Sequence, residues 1–463
     1  MPRPSPSRST AALAAAACLG LGVGLPGTAA ASSISVLTTF TATDGYPVGN
    51  DYVNSSVLRD FAGNIYGATT NGAHNQGQIY QVSPSVHGAA PVKTILHDFF
   101  ADSLHPGAYL PSGALVFDKA GNIWGTAQNG GANAAGALFE LTKPATVGGS
   151  WTYRDVFDFP YLGSSSSPGP FLFDAVGNIY GVTQNGNYNS RVCGTTIGCG
   201  TIYRLLQPKT GSTVWRFQNL AQFNPDPYLN VPINIVRDTK GNLYGTNFGG
   251  PNPVDSGGGG EVWQLSPPTV AGAKWSLKTI FAFGGSRGPN GEFTTGYYPQ
   301  SGVVVDVAGH LFGTTRKGGP NYYDDGTLYE LTPPVAAGQP WGYSVLHGFL
   351  PSYSGGVDKN GVPEGAQPTG IKSDSTGNLY VVASKLGICT NVNIGPCGTG
   401  TIDMFAAGTW ALTIIYSFPP QYTGGPFAPN GGFARDLSGN LYGTTSTYGF
   451  DNVSYGSLFK VTP

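Results

Sequence analysis

Short apolar bursts rich in Ile, Val, Tyr, Phe and Trp recur along the chain between clusters of Gly, Pro and Asn. Bursts of this kind predict β-strands. They come in sets of four. The first leads into an Asp, as in the residues before Asp60, Asp118, Asp238 and Asp306. The second is an Ile/Leu-aromatic-Gly run, such as Leu243-Tyr244-Gly245. The third follows a Gly-rich loop, as at Gly326-Thr327-Leu328-Tyr329. The fourth is β-branched and aromatic, as at Trp275–Phe283.

One phrase joins the first burst to the second: Asp-x-x-Gly-Asn, opened by Asp60, Asp118, Asp174, Asp238, Asp306, Asp374 and Asp436. The spacing between copies averages about 63 residues, and self-similarity at a fixed period marks a repeat architecture. An Asp carboxylate at a tight turn accepts backbone N–H bonds, while Gly and Asn tolerate positive φ. All seven Asp residues are therefore read as structural turn caps. His310 stands where the other copies carry Asn.

The two ends of the repeat array complement each other. Repeat seven stops after its third burst, at Gly456–Pro463, while Ser33–Phe40 matches a fourth burst such as Trp410–Phe418. If Ile34–Phe40 pairs beside Leu458–Val461, the ring closes and no sheet edge is exposed. The expected fold is all-β: a single seven-bladed β-propeller of four-stranded blades over residues 32–463, closed by the N-terminal strand completing the last blade.

Composition agrees. The chain has 71 Gly, 36 Pro and 12% aromatic residues but only 10% charged ones, which excludes long helices and disorder. A net charge of −2 gives no basic excess to attract nucleic acid or anionic lipid. The whole phrase, Asp-x-x-Gly-Asn-[Ile/Leu]-Tyr-Gly followed by a Gly-rich loop and a Thr-aliphatic-aromatic strand, resembles the GloVer-type tandem repeats of secreted bacterial proteins. More loosely it is similar to NHL-type propellers. The resemblance covers residues 33–463 and implies an exported, propeller-like repeat protein. Repeat six departs most, with Val381 for the usual Gly and Asp403-Met404 where the others carry Tyr80, Phe139, Tyr203, Trp263, Tyr329 or Phe459.

Residues 1–31 predict a secretory signal: Arg3 and Arg8, then the apolar stretch Ala11–Leu25, then Ala29-Ala30-Ala31 as a cleavage site. The mature chain is expected to be secreted, extracellular or periplasmic, with no membrane insertion. Four cysteines follow, in the same loop of repeats three and six, predicting Cys193–Cys199 and Cys389–Cys397 disulfides. Neither loop has a neighbouring His or a Cys-x-x-Cys spacing, so no metal is expected, nor any cofactor. The familiar nucleophile-elbow, zinc-protease, phosphate-loop and EF-hand signatures are absent.

Function is expected on the face carrying the long, dissimilar loops rather than on the uniform Asp-cap face. There charged and aromatic residues cluster around blade five: Arg316, Lys317, Tyr322, Tyr323, Asp324 and Asp325, with Glu292 before it and Glu364 after. Tyrosines stack on sugar faces while Asp, Asn and Arg bond hydroxyls. The leading reading is a non-catalytic binding protein for polysaccharide or other extracellular polymers. Two others stand beside it. One is a polysaccharide-degrading enzyme, as a hydrolase using a carboxylate pair or a lyase using Tyr and Arg or Lys. The other is a structural or adhesion protein. No catalytic residue is assigned, and the oligomeric state is open.

Overall fold

Each Asp cap closes the same turn. Asp60 Oδ1 accepts the Asn64 backbone N–H at 2.8 Å, and Oδ2 accepts the Asn64 side-chain amide at 2.8 Å. Gly63 sits between them at φ +90°. The computed structural model describes residues 32–463 except 48–56, 86–87, 102–106, 113–114, 147, 162–165, 187–199, 224–230, 250–252, 255–256, 271, 286, 290, 292, 321–324, 337, 351–364, 386–398, 420–425 and 449–454. Residues 1–31, expected to be a secretory signal, and all four loop cysteines fall outside the described residues.

The chain folds as the expected all-β, seven-bladed propeller of four-stranded antiparallel blades. No helix occurs among the described residues. Blade three runs Pro168–Phe173, Ile179–Thr183, Thr201–Leu206, Arg216–Gln222 from the hub outward. Blade four follows with Val236–Arg237, Leu243–Asn247, Glu261–Ser266 and Ser276–Ala282. In blades one and two the inner strand is split into two short pieces. Blade seven takes its outer strand from the other end of the chain: Ser33–Thr39 pairs antiparallel with Ser457–Thr462, Ile34 opposite Val461.

Two features show that this borrowed strand is a true fourth strand. Each outer strand is followed by a buried Phe whose N–H bonds the carbonyl of the Gly before the third strand. Phe283 to Gly260 is 2.9 Å and Phe349 to Gly326 is 3.0 Å; across the closure, Phe40 to Gly456 is also 3.0 Å. In addition, every outer strand carries a one-residue β-bulge at the same level. The skipped residue is aliphatic in all seven: Leu37, Leu96, Val156, Leu220, Ile280, Leu346 and Ile415. A bulge adds local twist, and here it recurs once per blade.

Aromatic residues join the blades in two tiers. In one, the Phe after each outer strand meets the third-strand aromatic of the next blade, as in Phe40–Tyr80, Phe159–Tyr203 and Phe283–Tyr329, with centroids 5.0–5.1 Å apart. In the other, nearer the Asp caps, the Trp that starts an outer strand meets the second-strand aromatic of the preceding blade: Trp151–Tyr66, Trp215–Trp124, Trp275–Tyr180, Trp341–Tyr244 and Trp410–Phe312. Each such pair contributes about 0.5–1.5 kcal/mol beyond its buried area.

The repeated second-strand Gly follows from this packing. Gly67 lies opposite Tyr80 and Gly245 opposite Trp263, and a Cβ on either would run into that ring. Repeat six breaks both halves of the rule together. Val381 faces Asp403; both are fully buried, and Asp403 accepts the Thr401 hydroxyl at 2.9 Å. Without the ring, the space opposite accepts a side chain. Phe349 therefore meets Phe405 instead.

Candidate functional site: the cleft between blades three and four

Of the blade-five residues expected to form a site, Tyr322, Tyr323, Asp324, Glu292 and Glu364 lie outside the described residues. Arg316 and Lys317 sit where the second strand of blade five (Leu311–Thr315) runs out. Arg316 donates to Gln367 and Gln300, both at 3.2 Å. Lys317 pairs through its backbone with Tyr297 and lays its ammonium over that ring at 5.8 Å. Asp325 is 4% exposed. The Asp325 carbonyl accepts the Gln367 backbone N–H at 2.9 Å.

A larger opening lies on the opposite, Asp-cap face, between blades three and four. Its cavity measures about 910 Å³. Tyr180, from the second strand of blade three, forms the floor, and Trp275 from blade four stands against it at 6.0 Å. The rim carries Arg204 and Gln218 from blade three, with Arg237, Lys240 and Lys274 from blade four. These come from four separate stretches that only the propeller brings together.

Hydrogen bonds orient the side chains. In most other blades the second-strand aromatic donates to its own cap: the hydroxyls of Tyr66, Tyr244 and Tyr442 reach Asp60, Asp238 and Asp436 at 2.9–3.0 Å, and Trp124 reaches Asp118 at 3.1 Å. Burial first, then the nearby Asp238 carboxylate, pushes the Tyr244 hydroxyl pKa up, so it remains a donor. Tyr180 differs. Its hydroxyl accepts from Arg204 Nη1 at 3.4 Å, while Arg204 also donates twice to Gln218, at 2.9 and 2.6 Å. The guanidiniums of Arg204 and Arg237 lie 5.9 and 5.7 Å from the Tyr180 ring centre.

Among the described residues, no carboxylate lines this cleft. The two nearest cap acids are used by their own turns. Asp174 accepts from Val176 and from Asn178 twice, and Asp238 from Asn242 and Tyr244. The arrangement can stack an apolar ring face on Trp275 and offer charge-assisted donors beside it. Sequence reading missed the cleft because its face is uniform in backbone. The available signal was Arg204, at a position held by Gln81, Glu140, Gln264 and Glu330 in the matching strands.

Residues 94–323 match the sequence profile of the Gloeobacter/Verrucomicrobia repeat. That segment is a run of Gloeobacter/Verrucomicrobia repeats. It spans the chain from the outer strand of blade one into blade five and includes the whole cleft. The resemblance carried by the Asp-x-x-Gly-Asn turns thus holds over these residues. No curated protein matches the chain. Among solved structures, virginiamycin B lyase from Staphylococcus aureus is similar at 11% identity, with 93% of this chain and 99% of that one covered and a TM-score of 0.46. A Mycobacterium tuberculosis puromycin-hydrolyzing peptidase is similar at 10% identity, with 93% and 57% covered and a TM-score of 0.48. A Trichoderma reesei carbohydrate-active enzyme of family AA12 is similar at 13% identity, with 94% and 96% covered and a TM-score of 0.41. At these identities and scores, none carries an argument about activity for this repeat protein.

Two other openings differ from the cleft. One of about 520 Å³ on the loop face, between blades one and two, contains His74, which pairs with Asp98 at 2.8 Å. Another, of about 340 Å³ in the hub, is lined by inner-strand aliphatics such as Val116, Val236 and Val304, and by Lys372, whose burial pushes its pKa down to about 8. The first sets Tyr109 beside the amides of Asn75, Gln76 and Asn129 but has no Arg or Lys in its lining, and the one aromatic lining the second, Phe171, is 5% exposed.

Proposed function

We propose that this chain is an exported propeller that binds an extracellular polymer, a glycan, without transforming it. The observation that carries the reading is the cleft between blades three and four: open, with the half-buried Trp275 indole beside guanidinium and amide donors. Sugars are recognised by that pairing of a ring with directed hydrogen bonds. Glycosidic cleavage relies on carboxylates, and the lining of this cleft supplies none, which favours holding over cutting. Export rests on the Arg3/Arg8 and Ala11–Leu25 leader. In an oxidising compartment the Cys193–Cys199 and Cys389–Cys397 pairs would each close a short loop.

The test is affinity electrophoresis of the purified mature chain through gels carrying different polysaccharides, with parallel assays for reducing ends and unsaturated products. Retardation by at least one polymer, weakened by Trp275→Ala and without released product, is expected. Product release, or retardation by none, contradicts the reading.

A further inference from the structure

We propose that the polymer held between blades three and four is a polyanionic glycan bearing carboxylate or sulfate groups; this rests on the polymer-binding reading above and names its ligand class. Four cations face one opening, Arg204, Arg237, Lys240 and Lys274, with no acidic side chain in its lining. The chain as a whole carries a net charge of −2, so this positive field is local rather than a property of the surface at large.

Blades two and three differ in how they treat the same cross-strand pair. In blade two, Glu140 lies opposite Arg154, and Arg154 Nε donates to the carboxylate at 2.7 Å. In blade three, Arg204 lies opposite Gln218, a neutral amide that fixes the guanidinium without neutralising it. Arg237 shows a similar contrast. Its counterparts in blades seven and one, Arg435 and Arg59, lie over Tyr380 and Tyr442 and have Asp374 and Asp436 at 3.8 and 3.9 Å. Arg237 takes the same place over Tyr180, yet no carboxylate among the described residues makes that bridge. Two guanidiniums thus converge on one ring, and neither forms an ion pair with a carboxylate among the described residues.

Arg237 offers a planar fork to a carboxylate or sulfate, Arg204 adds the terminal N–H groups that Gln218 and Tyr180 leave over, and Trp275 offers a surface for the sugar ring that carries the anion. A nucleic acid is disfavoured. Stacking on bases needs successive exposed rings, whereas Tyr180 is 4% exposed and lies beneath the two guanidiniums.

The repeats themselves supply substitutions that the scaffold tolerates. Gln stands at the Arg204 position in blades one and four, Val305 at the Arg237 position in blade five, and Ala308 at the Lys240 position. Wild type and the Arg204→Gln/Arg237→Val and Lys240→Ala variants would be titrated with polygalacturonate, alginate, dextran sulfate, neutral dextran and single-stranded DNA. Thermal melts would confirm folding. Tighter binding of at least one charged polysaccharide than of neutral dextran is expected, with about a tenfold loss in the double variant. Affinity should also fall as salt rises from about 50 to about 500 mM. Equal binding of neutral dextran that depends on Trp275 would overturn the anionic class and leave the polymer-binding reading standing. Arginine-dependent binding of DNA as tight as that of any polysaccharide would overturn the glycan assignment. Binding of no polymer would overturn both.

Discussion

Two neighbouring clefts on the Asp-cap face share one backbone and differ in charge. Between blades three and four the walls are Tyr180, Arg204, Lys240 and Trp275; between blades four and five the same places hold Tyr244, Gln264, Ala308 and Trp341. The second cleft also exposes the cap acids Asp238 and Asp306, and its cavity is about 210 Å³ against about 910 Å³ for the first. Turn chemistry fixes where a repeat bends, and it leaves the outward side chains free to vary. A face that is uniform in its turns is therefore not uniform in what it can bind.

The largest expected effect tests whether both clefts stand on the same scaffold. Gly181→Val and Gly245→Val should each cost about 3 kcal/mol or more, because each new side chain meets the ring opposite, Tyr203 or Trp263. Chemical denaturation should give similar losses for both. A tolerated substitution would mean that close approach is not why Gly recurs there.

Trp275→Ala and Trp341→Ala sharpen the comparison. Each half-buried indole should contribute about 2 kcal/mol to stability, so the melts should fall together. Only Trp275→Ala should weaken polymer binding. A loss of affinity in Trp341→Ala as well would erase the difference between the clefts.

The caps should act on stability alone. Asp238→Ala should cost about 1–2 kcal/mol and leave binding unchanged at temperatures where the variant is folded. Their pH dependence follows from Asp374 and Asp436. Burial pulls the Asp374 carboxyl pKa up, but hydrogen bonds from Thr376 and Asn378 outweigh it and hold the pKa at about 2. Asp436 is likewise held low by Asn440 and Tyr442, against the pull of burial. A folded-state pKa below the unfolded one gives stability that is complete above about pH 4 and is lost as pH falls toward 2. Asp374→Asn should flatten that acid limb in a pH series of melts.

The smallest expected change is a gain. The buried hydroxyls of Tyr80, Tyr203 and Tyr329 have no hydrogen-bond partner among the described residues, and blades two and seven carry Phe139 and Phe459 in that place. Tyr203→Phe should raise stability by up to about 1 kcal/mol and leave the cleft unaffected.

Blade number, strand order and ring closure were legible in the chain because each depends on local turn chemistry repeated seven times. The pairing of Gly245 with Trp263 was not, since it depends on cross-strand register. Once that register is known, Val381 and Asp403 cease to be two separate irregularities and become one joint exchange. The cleft was illegible for a related reason. Tyr180, Arg204, Arg237 and Trp275 are scattered over almost a hundred positions, whereas most of the blade-five cluster lies within the single stretch Arg316–Asp325. Convergence on one cavity takes a fold.

The most direct test of the account is a crystal structure of the chain soaked with a short oligogalacturonate. The account predicts a sugar ring against Trp275 with its carboxylate between Arg204 and Arg237, and the cleft beside Trp341 left to solvent. Sugar seated instead on the loop face around Arg316, or equally in both clefts, would contradict it.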